Sequence, residues 1–264
     1  SMNRDTIASE VYGAFYLIQQ NLYNTIVDMG SGDGGITKLL ATRVPHKGVI
    51  AIDSNPRMTA HGQHFNSVST VEYITQDMSV SWPELSDNIR RLESKVDLIF
   101  SNFSFHYFHD KYQLLSICRQ LLVTGGTIRA NIPLFDDLSD KLPANQRLEW
   151  CPSVDQQLDV WRRELSDTGF TINEFETRKV TFAVNRRQII AYLPVLMSVY
   201  KSYFTASGLP YNQCPDLADI VFNVYNNLGA DRPNPNAWTL FLAKEDISEV
   251  VTHMRLLRLV CHKN

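Results

Sequence analysis

The stretch Thr25-Ile26-Val27-Asp28-Met29-Gly30-Ser31-Gly32-Asp33-Gly34-Gly35 constrains the fold of this 264-residue chain more than any other. It reads as a short apolar strand, an acid at the strand's end, a glycine-rich turn, and a helix opening at Ile36. Parallel strands need crossover connections, so a strand–turn–helix unit commits the chain to α/β layering. The unit then recurs. Strands are expected at Thr25–Asp28, Gly48–Asp53, Val71–Thr75, Asp97–Ser101 and Thr127–Asn131, with helices between them at Ile36–Arg43, Pro56–Phe65, Glu84–Leu92 and Lys111–Leu122. Gly125-Gly126 breaks the chain before the fifth strand.

Beyond Ile132 the pattern loosens. Helices are expected at Asp155–Thr168, Arg187–Tyr203 and Leu217–Leu228, and a strand at Phe170–Val184. Trp238–Ala243 reads as a final strand and Ile247–Val260 as a C-terminal helix. The expected organisation is one domain over 1–264. An amphipathic N-terminal lid helix occupies 1–22, and small helical cap segments at 134–150 and 187–230 stand over an acceptor pocket.

The formal net charge is −3 and the basic residues are scattered, so no footprint for a phosphate backbone exists and no nucleic-acid partner is expected. No apolar run reaches membrane-spanning length and no signal-peptide core opens the chain. None of the four cysteines forms a CxxC pair or has zinc-like spacing. His106, His109 and Asp110 have no third partner at suggestive spacing, so no metal is expected. These features describe a cytoplasmic chain with reduced thiols and a small-molecule substrate; they leave the oligomeric state open.

Ligands of open α/β sheets bind outside the carboxyl ends of the strands, at the point where strand order reverses. Polar residues stand at each expected strand end: Asp28 before the glycine loop, Asp53, Asp77-Met78, and Ser101-Asn102. An acid at the second strand's end offers two acceptor oxygens to a pair of ribose hydroxyls. The glycines alone fit a dinucleotide as well as S-adenosylmethionine. Charge separates the two. A pyrophosphate wants helix N-terminal amides with no carboxylate nearby, whereas Asp28 and Asp33 both flank this loop. Acids there suit the ammonium and sulfonium of S-adenosylmethionine.

With these residues in place, the chain resembles the class I S-adenosylmethionine-dependent methyltransferases over about Tyr23 to Pro133. Val27-Asp28-Met29-Gly30-Ser31-Gly32-Asp33-Gly34 is similar to that family's first motif, and Ile52-Asp53 to its second. Gln76-Asp77-Met78 is similar to the third, Asp97–Asn102 to the fourth, and Leu121–Gly126 to its "LLxPGG" turn. The resemblance implies a Rossmann-like α/β fold: a mostly parallel, seven-stranded sheet with helices on both faces. It implies cofactor contacts from Asp28, Gly30, Ser31, Gly32, Gly34 and Asn102 to the methionine part. Asp53 would take the ribose, and Met58, Asp77 and Met78 the adenine.

The segment Ser101-Asn102-Phe103-Ser104-Phe105-His106-Tyr107 looks like the acceptor-facing segment of small-molecule carboxyl methyltransferases of the trans-aconitate, malonyl-acyl-carrier-protein and juvenile-hormone-acid type. In those enzymes a Gln or His followed by Trp holds the substrate carboxylate; here Tyr107 stands where they have Trp. Three roles remain open for His106 and Tyr107: carboxylate binding, base catalysis by His106, and capping of the strand end. Tyr16 and Gln19 on the N-terminal helix, and Tyr192 and Tyr200 in the second cap, are further candidates for acceptor contact. The expected activity is methyl transfer to a small-molecule carboxylate oxygen. The alternatives are transfer to an amine, hydroxyl or carbon of a natural-product-like acceptor, and a non-catalytic module that binds S-adenosylmethionine as a partner or regulator.

Overall fold

The computed structural model describes residues 22–135, 152–187, 189–190, 193, 197–201, 217–226, 238, 241–242 and 249–264. The described residues fall into two compact units. One is built from 22–133, 158–178 and 256–264, the other from 134–135, 152–157 and the described residues between 179 and 255. The expected lid helix, with Tyr16 and Gln19, lies outside the described residues, as do Tyr192 and most of both expected caps.

The elements are β1 (Tyr23–Met29), α1 (Gly35–Arg43), β2 (His46–Asp53), α2 (Pro56–Phe65), β3 (Val71–Thr75), α3 (Asp87–Arg90), β4 (Val96–Asn102), α4 (Lys111–Leu121), β5 (Leu122–Leu134), α5 (Val154–Asp167), β6 (Phe170–Asn185), α6 (Leu217–Asn226) and β7 (Glu249–Lys263). Short 3₁₀ turns occupy Trp82–Glu84 and Phe105–Tyr107. All seven strands form one sheet in the order β3-β2-β1-β4-β5-β7-β6. The pairs β1–β2, β1–β4, β2–β3 and β4–β5 are parallel. On the far side, Thr171 meets Asn264 and Asn173 meets His262, the rising-against-falling numbering of an antiparallel β6–β7 pair.

β1 lies at the centre of the sheet, with Ile26, Val27 and Met29 fully buried. Strands covered on both faces read as unbroken apolar runs, which is why Thr25–Met29 stands out in the sequence. The same property explains the main departure from expectation. Ile247–Val260 was expected to be a helix, but Glu249–Lys263 is β7, an interior strand with Leu256, Leu257, Leu259, Val260 and Cys261 buried. A run apolar on both faces shows no alternation, so its periodicity does not separate strand from helix. Trp238–Ala243 departs the other way. Its described residues Trp238, Phe241 and Leu242 are helical. The Arg186 guanidinium donates to the carbonyls of Phe241 and Leu242 (2.5 and 2.6 Å), satisfying acceptors that a helix end leaves open. The expected Glu84–Leu92 helix is shorter, split between the 3₁₀ turn and α3.

Two contacts fix the glycine loop that follows β1. The N–H groups of Gly30 and Ser31 both donate to the Ile52 carbonyl (2.8 and 2.9 Å), tying the loop to the end of β2. Gly34, with φ of 81°, and Gly62 on α2 both pack against the Tyr73 ring, so a Cβ at either position would collide with it. Loop, α2 and β3 therefore meet through two missing side chains.

β1 ends in a buried acid. Asp28 is 2% exposed, and its Oδ2 accepts a 2.6 Å hydrogen bond from Thr37 Oγ1 on α1. Burial pushes its pKa up to about 7; the Thr37 bond opposes this and the nearby Asp53 charge adds to it. Below about pH 4 the carboxyl is protonated whether the chain is folded or not. Between about 4 and 7 the unfolded chain ionises while the folded one keeps its proton, so stability falls as pH rises, by up to about 1.4 kcal/mol per pH unit. Above 7 the dependence levels off.

Two outcomes follow. Gly62→Ala destabilises the fold by about 1–3 kcal/mol through overpacking on Tyr73, although alanine favours a helix by about 1 kcal/mol; urea unfolding reads the sign. Asp28→Asn gains on the natural chain as pH rises from 4.5 to 7, and the gain is constant above that. A pH-independent difference in unfolding free energy would refute the burial of this acid.

Candidate functional site

Strand order reverses between β1 and β4, where one chain connection leads to β2 and the other to β5. A crevice of about 540 Å³ opens there at the carboxyl ends of the strands. Asp28 to Asp33 line it from the β1 loop, with Ile36 of α1. Ile52, Asp53 and Ser54 line it after β2, Gln76 to Ser79 after β3, and Asn102, Phe103, Ser104, Tyr107 and Phe108 after β4.

Asp53 is held from both sides. Its Oδ2 accepts from the Gly32 N–H and its Oδ1 from the Asn55 N–H, each at 2.9 Å. Each oxygen keeps a further lone pair for a ligand hydroxyl. Asp77 Oδ1 accepts from the Ser79 N–H and hydroxyl at 2.8 and 2.7 Å. At the β4 end, Ser101 Oγ donates to the Met29 carbonyl at 2.9 Å, and Asn131 Nδ2 donates to Asn102 Oδ1 at 3.0 Å. The two central strand ends are thereby locked side by side.

The chain then turns through Phe103, whose φ of 56° is unusual for a bulky residue. Its N–H donates to the Asn131 carbonyl at 3.0 Å. This turn lays Ser104 directly on Gly30, where a Cβ would overlap the Ser104 side chain. Glycine is required at 30 both for that approach and for its φ of 82°. Beneath the loop, Phe105 is fully buried and stacks on Trp161 of α5, with ring centroids 6.2 Å apart. Lys111 Nζ lies 5.1 Å from the Trp161 centroid and donates to the Phe108 carbonyl at 3.0 Å.

Of the expected cofactor residues, Asp28, Gly30, Ser31, Gly32, Asp53, Asp77, Met78 and Asn102 line the crevice together. Gly34 and Met58 stand outside that lining: Gly34 caps α1, and Met58 is 40% exposed on α2. Tyr107 lines the crevice and is half exposed, whereas His106 is not among the lining residues. Burial, assisted by the Lys111 charge, pushes the His106 pKa down to about 3. Burial raises that of Tyr107, which stays a phenol. Tyr200 is fully buried in the other unit, edge-on to Phe135. Phe103, Ser104 and Phe108 belong to the stretch after the fourth strand read as acceptor-facing, where none was given a role of its own, and Ser54 and Ser79 were not expected as site residues. Only the position of these two after strand ends marks them in the sequence. Among the described residues no group of three His, Cys, Asp or Glu side chains is placed to hold a metal ion.

Among the described residues the lining contains four aspartates, at 28, 33, 53 and 77, and no lysine, arginine or histidine. That is a poor setting for a pyrophosphate and a suitable one for a ligand carrying ammonium and sulfonium charges. The Ser31 hydroxyl is buried with no hydrogen-bond partner among the described residues, a polar atom that a bound ligand would satisfy. Volume, acids and orphaned hydroxyl fit S-adenosylmethionine.

Residues 26–126 match the methyltransferase-domain family. A malonyl-[acyl-carrier protein] O-methyltransferase of Acetivibrio thermocellus is 30% identical over 131 residues, covering 44% of this chain and 43% of that protein. A trans-aconitate 2-methyltransferase of Escherichia coli O7:K1 is 29% identical over 108 residues, covering 41% and 38%. The chain thus spans less than half the length of these curated relatives. In fold it is similar to the YcgJ protein of Bacillus subtilis, with a TM-score of 0.59 at 12% identity over 97% of this chain and 99% of that one. With its 3-2-1-4-5-7-6 sheet and strand-end acids, the chain has the fold of the solved methyltransferase-like structures, and its segment 26–126 carries a methyltransferase domain that binds S-adenosylmethionine.

Proposed function

We propose that this protein transfers the methyl group of S-adenosylmethionine to a carboxylate oxygen of a small-molecule acceptor. The observation that carries the reading is the contrast between the two sides of the crevice: fixed acids on the donor side, neutral groups at the acceptor loop. S-adenosylmethionine supplies a methyl group on a positively charged sulfur. A carboxylate oxygen forms the new C–O bond with its own lone pair, the sulfur–methyl bonding pair returns to sulfur, and no proton moves.

No base is then required. A carboxylate is already ionised at neutral pH, so the chain's task reduces to alignment and exclusion of water. His106, held neutral with a pKa of about 3, is a poor proton acceptor and is not among the residues lining the crevice. Asp53 holds the donor's ribose while its own oxygens remain tied to the loop and to Asn55. Asp77 takes the adenine amine with its orientation set by Ser79. The two curated relatives are named for malonyl and aconitate acceptors, both of which carry carboxylates.

The acidic lining, free of basic residues, favours a second reading in which the acceptor is an amine.

Calorimetry with S-adenosylhomocysteine tests the donor site. Binding is expected, and Asp53→Ala weakens it about tenfold or more, as expected for loss of hydrogen bonds to a charged group. No binding at millimolar ligand rejects the donor assignment. The acceptor is tested by methyl-ester formation on trans-aconitate, a malonyl thioester and a medium-chain fatty acid. At saturating donor, kcat/KM for the acceptor is expected to be flat from pH 6 to 9, because the acceptor carboxylate and His106 do not titrate there and the bound cation holds Asp28 ionised. A rise of unit slope near neutrality, or methylation of amines alone, rejects the carboxylate reading. In unfolding, His106 acts oppositely to Asp28. Its folded pKa lies below the unfolded value, so its contribution is present above about pH 6.5 and is lost as pH falls toward 3.

A further inference from the structure

The loop after β4 carries two crevice-lining hydroxyls, those of Ser104 and Tyr107, that make no hydrogen bond among the described residues. Ser104 caps the 3₁₀ turn Phe105–Tyr107, and the Tyr107 N–H donates to the Ser104 carbonyl at 3.0 Å. Three-residue periodicity in such a turn brings side chains at i and i+3 onto one edge. Ser104 and Tyr107 both line the crevice, while Phe105 is buried against Trp161 and His106 lies off the edge. Among the described residues neither hydroxyl has a hydrogen-bond partner.

Their placement is costly to the chain. Phe103 adopts positive φ, a conformation that bulky residues resist. The turn it makes sets Ser104 against the bare backbone of Gly30. One hydroxyl therefore sits at the junction of the donor and acceptor loops, and the other stands one turn further out. The Phe105–Trp161 stack and the Lys111–Phe108 bond hold the turn from below.

We propose that Ser104 and Tyr107 form a two-hydroxyl clamp that binds the acceptor carboxylate, with Ser104 as the acceptor-binding residue nearer the methyl group. This rests on the carboxylate reading above. A carboxylate offers two oxygens with lone pairs to two donors, and both hydroxyls are donors at neutral pH. Neutral donors grip an anion without adding a fixed positive charge beside a positively charged sulfur. They also leave one lone pair on the attacking oxygen uncommitted. The clamp selects a single carboxylate group and gives no direct grip to an ammonium beyond the hydroxyls' lone pairs. Ser104 makes the selection at the point of reaction and Tyr107 orients the group.

The test uses the full chain and the three carboxylate acceptors already named. Ser104→Ala and Tyr107→Phe are each expected to raise the acceptor KM about ten- to hundredfold, the range for hydrogen bonds to a charged group. The double variant is expected to lose less than the product of the single effects, because both residues hold one group. S-adenosylhomocysteine affinity and the thermal unfolding midpoint stay close to those of the natural chain. A Ser104→Ala variant with unchanged acceptor KM overturns the clamp. So does one whose only defect is weaker S-adenosylhomocysteine binding, which would make Ser104 a prop for the glycine loop. If the natural chain binds S-adenosylhomocysteine but esterifies none of the carboxylates, the clamp falls together with the carboxylate reading and the donor site stands. If it binds no S-adenosylhomocysteine, the methyl-transfer reading itself fails.

Discussion

The close approach of two backbones at Gly30 is the constraint on which the rest of the site depends. The loop after β1 is fixed to β2 by two hydrogen bonds to the Ile52 carbonyl, and the loop after β4 is folded back by the left-handed turn at Phe103. Ser104 then occupies the space that any Cβ at position 30 would need. A crevice at a strand-order reversal is open by topology alone. Bringing its two walls into contact at one end turns it into a site with a defined junction between the β1 loop and the β4 loop.

Charge divides the crevice as geometry does. Asp53 and Asp77 have their carboxylates oriented by backbone N–H groups and by Ser79, so little reorganisation is left to a ligand. Asp28 serves differently. It is too deeply buried to be a free anion at low cost, and its pKa near 7 places its charge under the control of whatever binds beside it. A cationic ligand at the loop favours the ionised form and draws a proton off the folded chain. The acceptor loop contains no such group. Burial and the Lys111 ammonium together keep His106 neutral, and that same ammonium holds the loop from beneath. One buried lysine thus fixes the position of Phe108 and suppresses basicity at 106.

The donor half was legible in the sequence because its parts are local. The end of β1, the glycine loop and the opening of α1 are contiguous, and Asp53 and Asp77 fall at the ends of apolar runs. The acceptor half was not, because it depends on contacts between distant segments. His106 is conspicuous in a sequence, yet Ser104 and Tyr107 at the two ends of the 3₁₀ turn line the crevice and His106 is outside the lining. The acceptor-facing segment includes Ser104, but nothing local singles it out; its position comes from Gly30, 74 residues earlier in the chain. Met58 also stands outside the lining, because helical spacing after Asn55-Pro56 does not say which side of α2 meets the crevice. β7 was misread because a strand inserted between β5 and β6 is apolar on both faces, and that placement is a property of the sheet.

On the proposed carboxylate reading, no residue described at the acceptor loop has to serve as a base, and that has a chemical consequence. An enzyme that must deprotonate its acceptor needs a group whose pKa lies near the working pH. Asp28 is moved into that range, but it is buried at the end of β1 and hydrogen-bonded to Thr37, on the donor side. An acceptor that arrives already ionised needs no such group. Its negative charge is drawn to the sulfonium and repelled by the aspartates, so it is stable only where the first lies close and the second lie behind it. The junction at Gly30 and Ser104 has that geometry: the acids line the β1, β2 and β3 ends, and the hydroxyls lie on the β4 side. If the proposed carboxylate reading holds, selection among acceptors is decided by distance from the aspartates as much as by the hydroxyls, and a dianionic acceptor is tolerated only with its second carboxylate pointing away from β2 and β3.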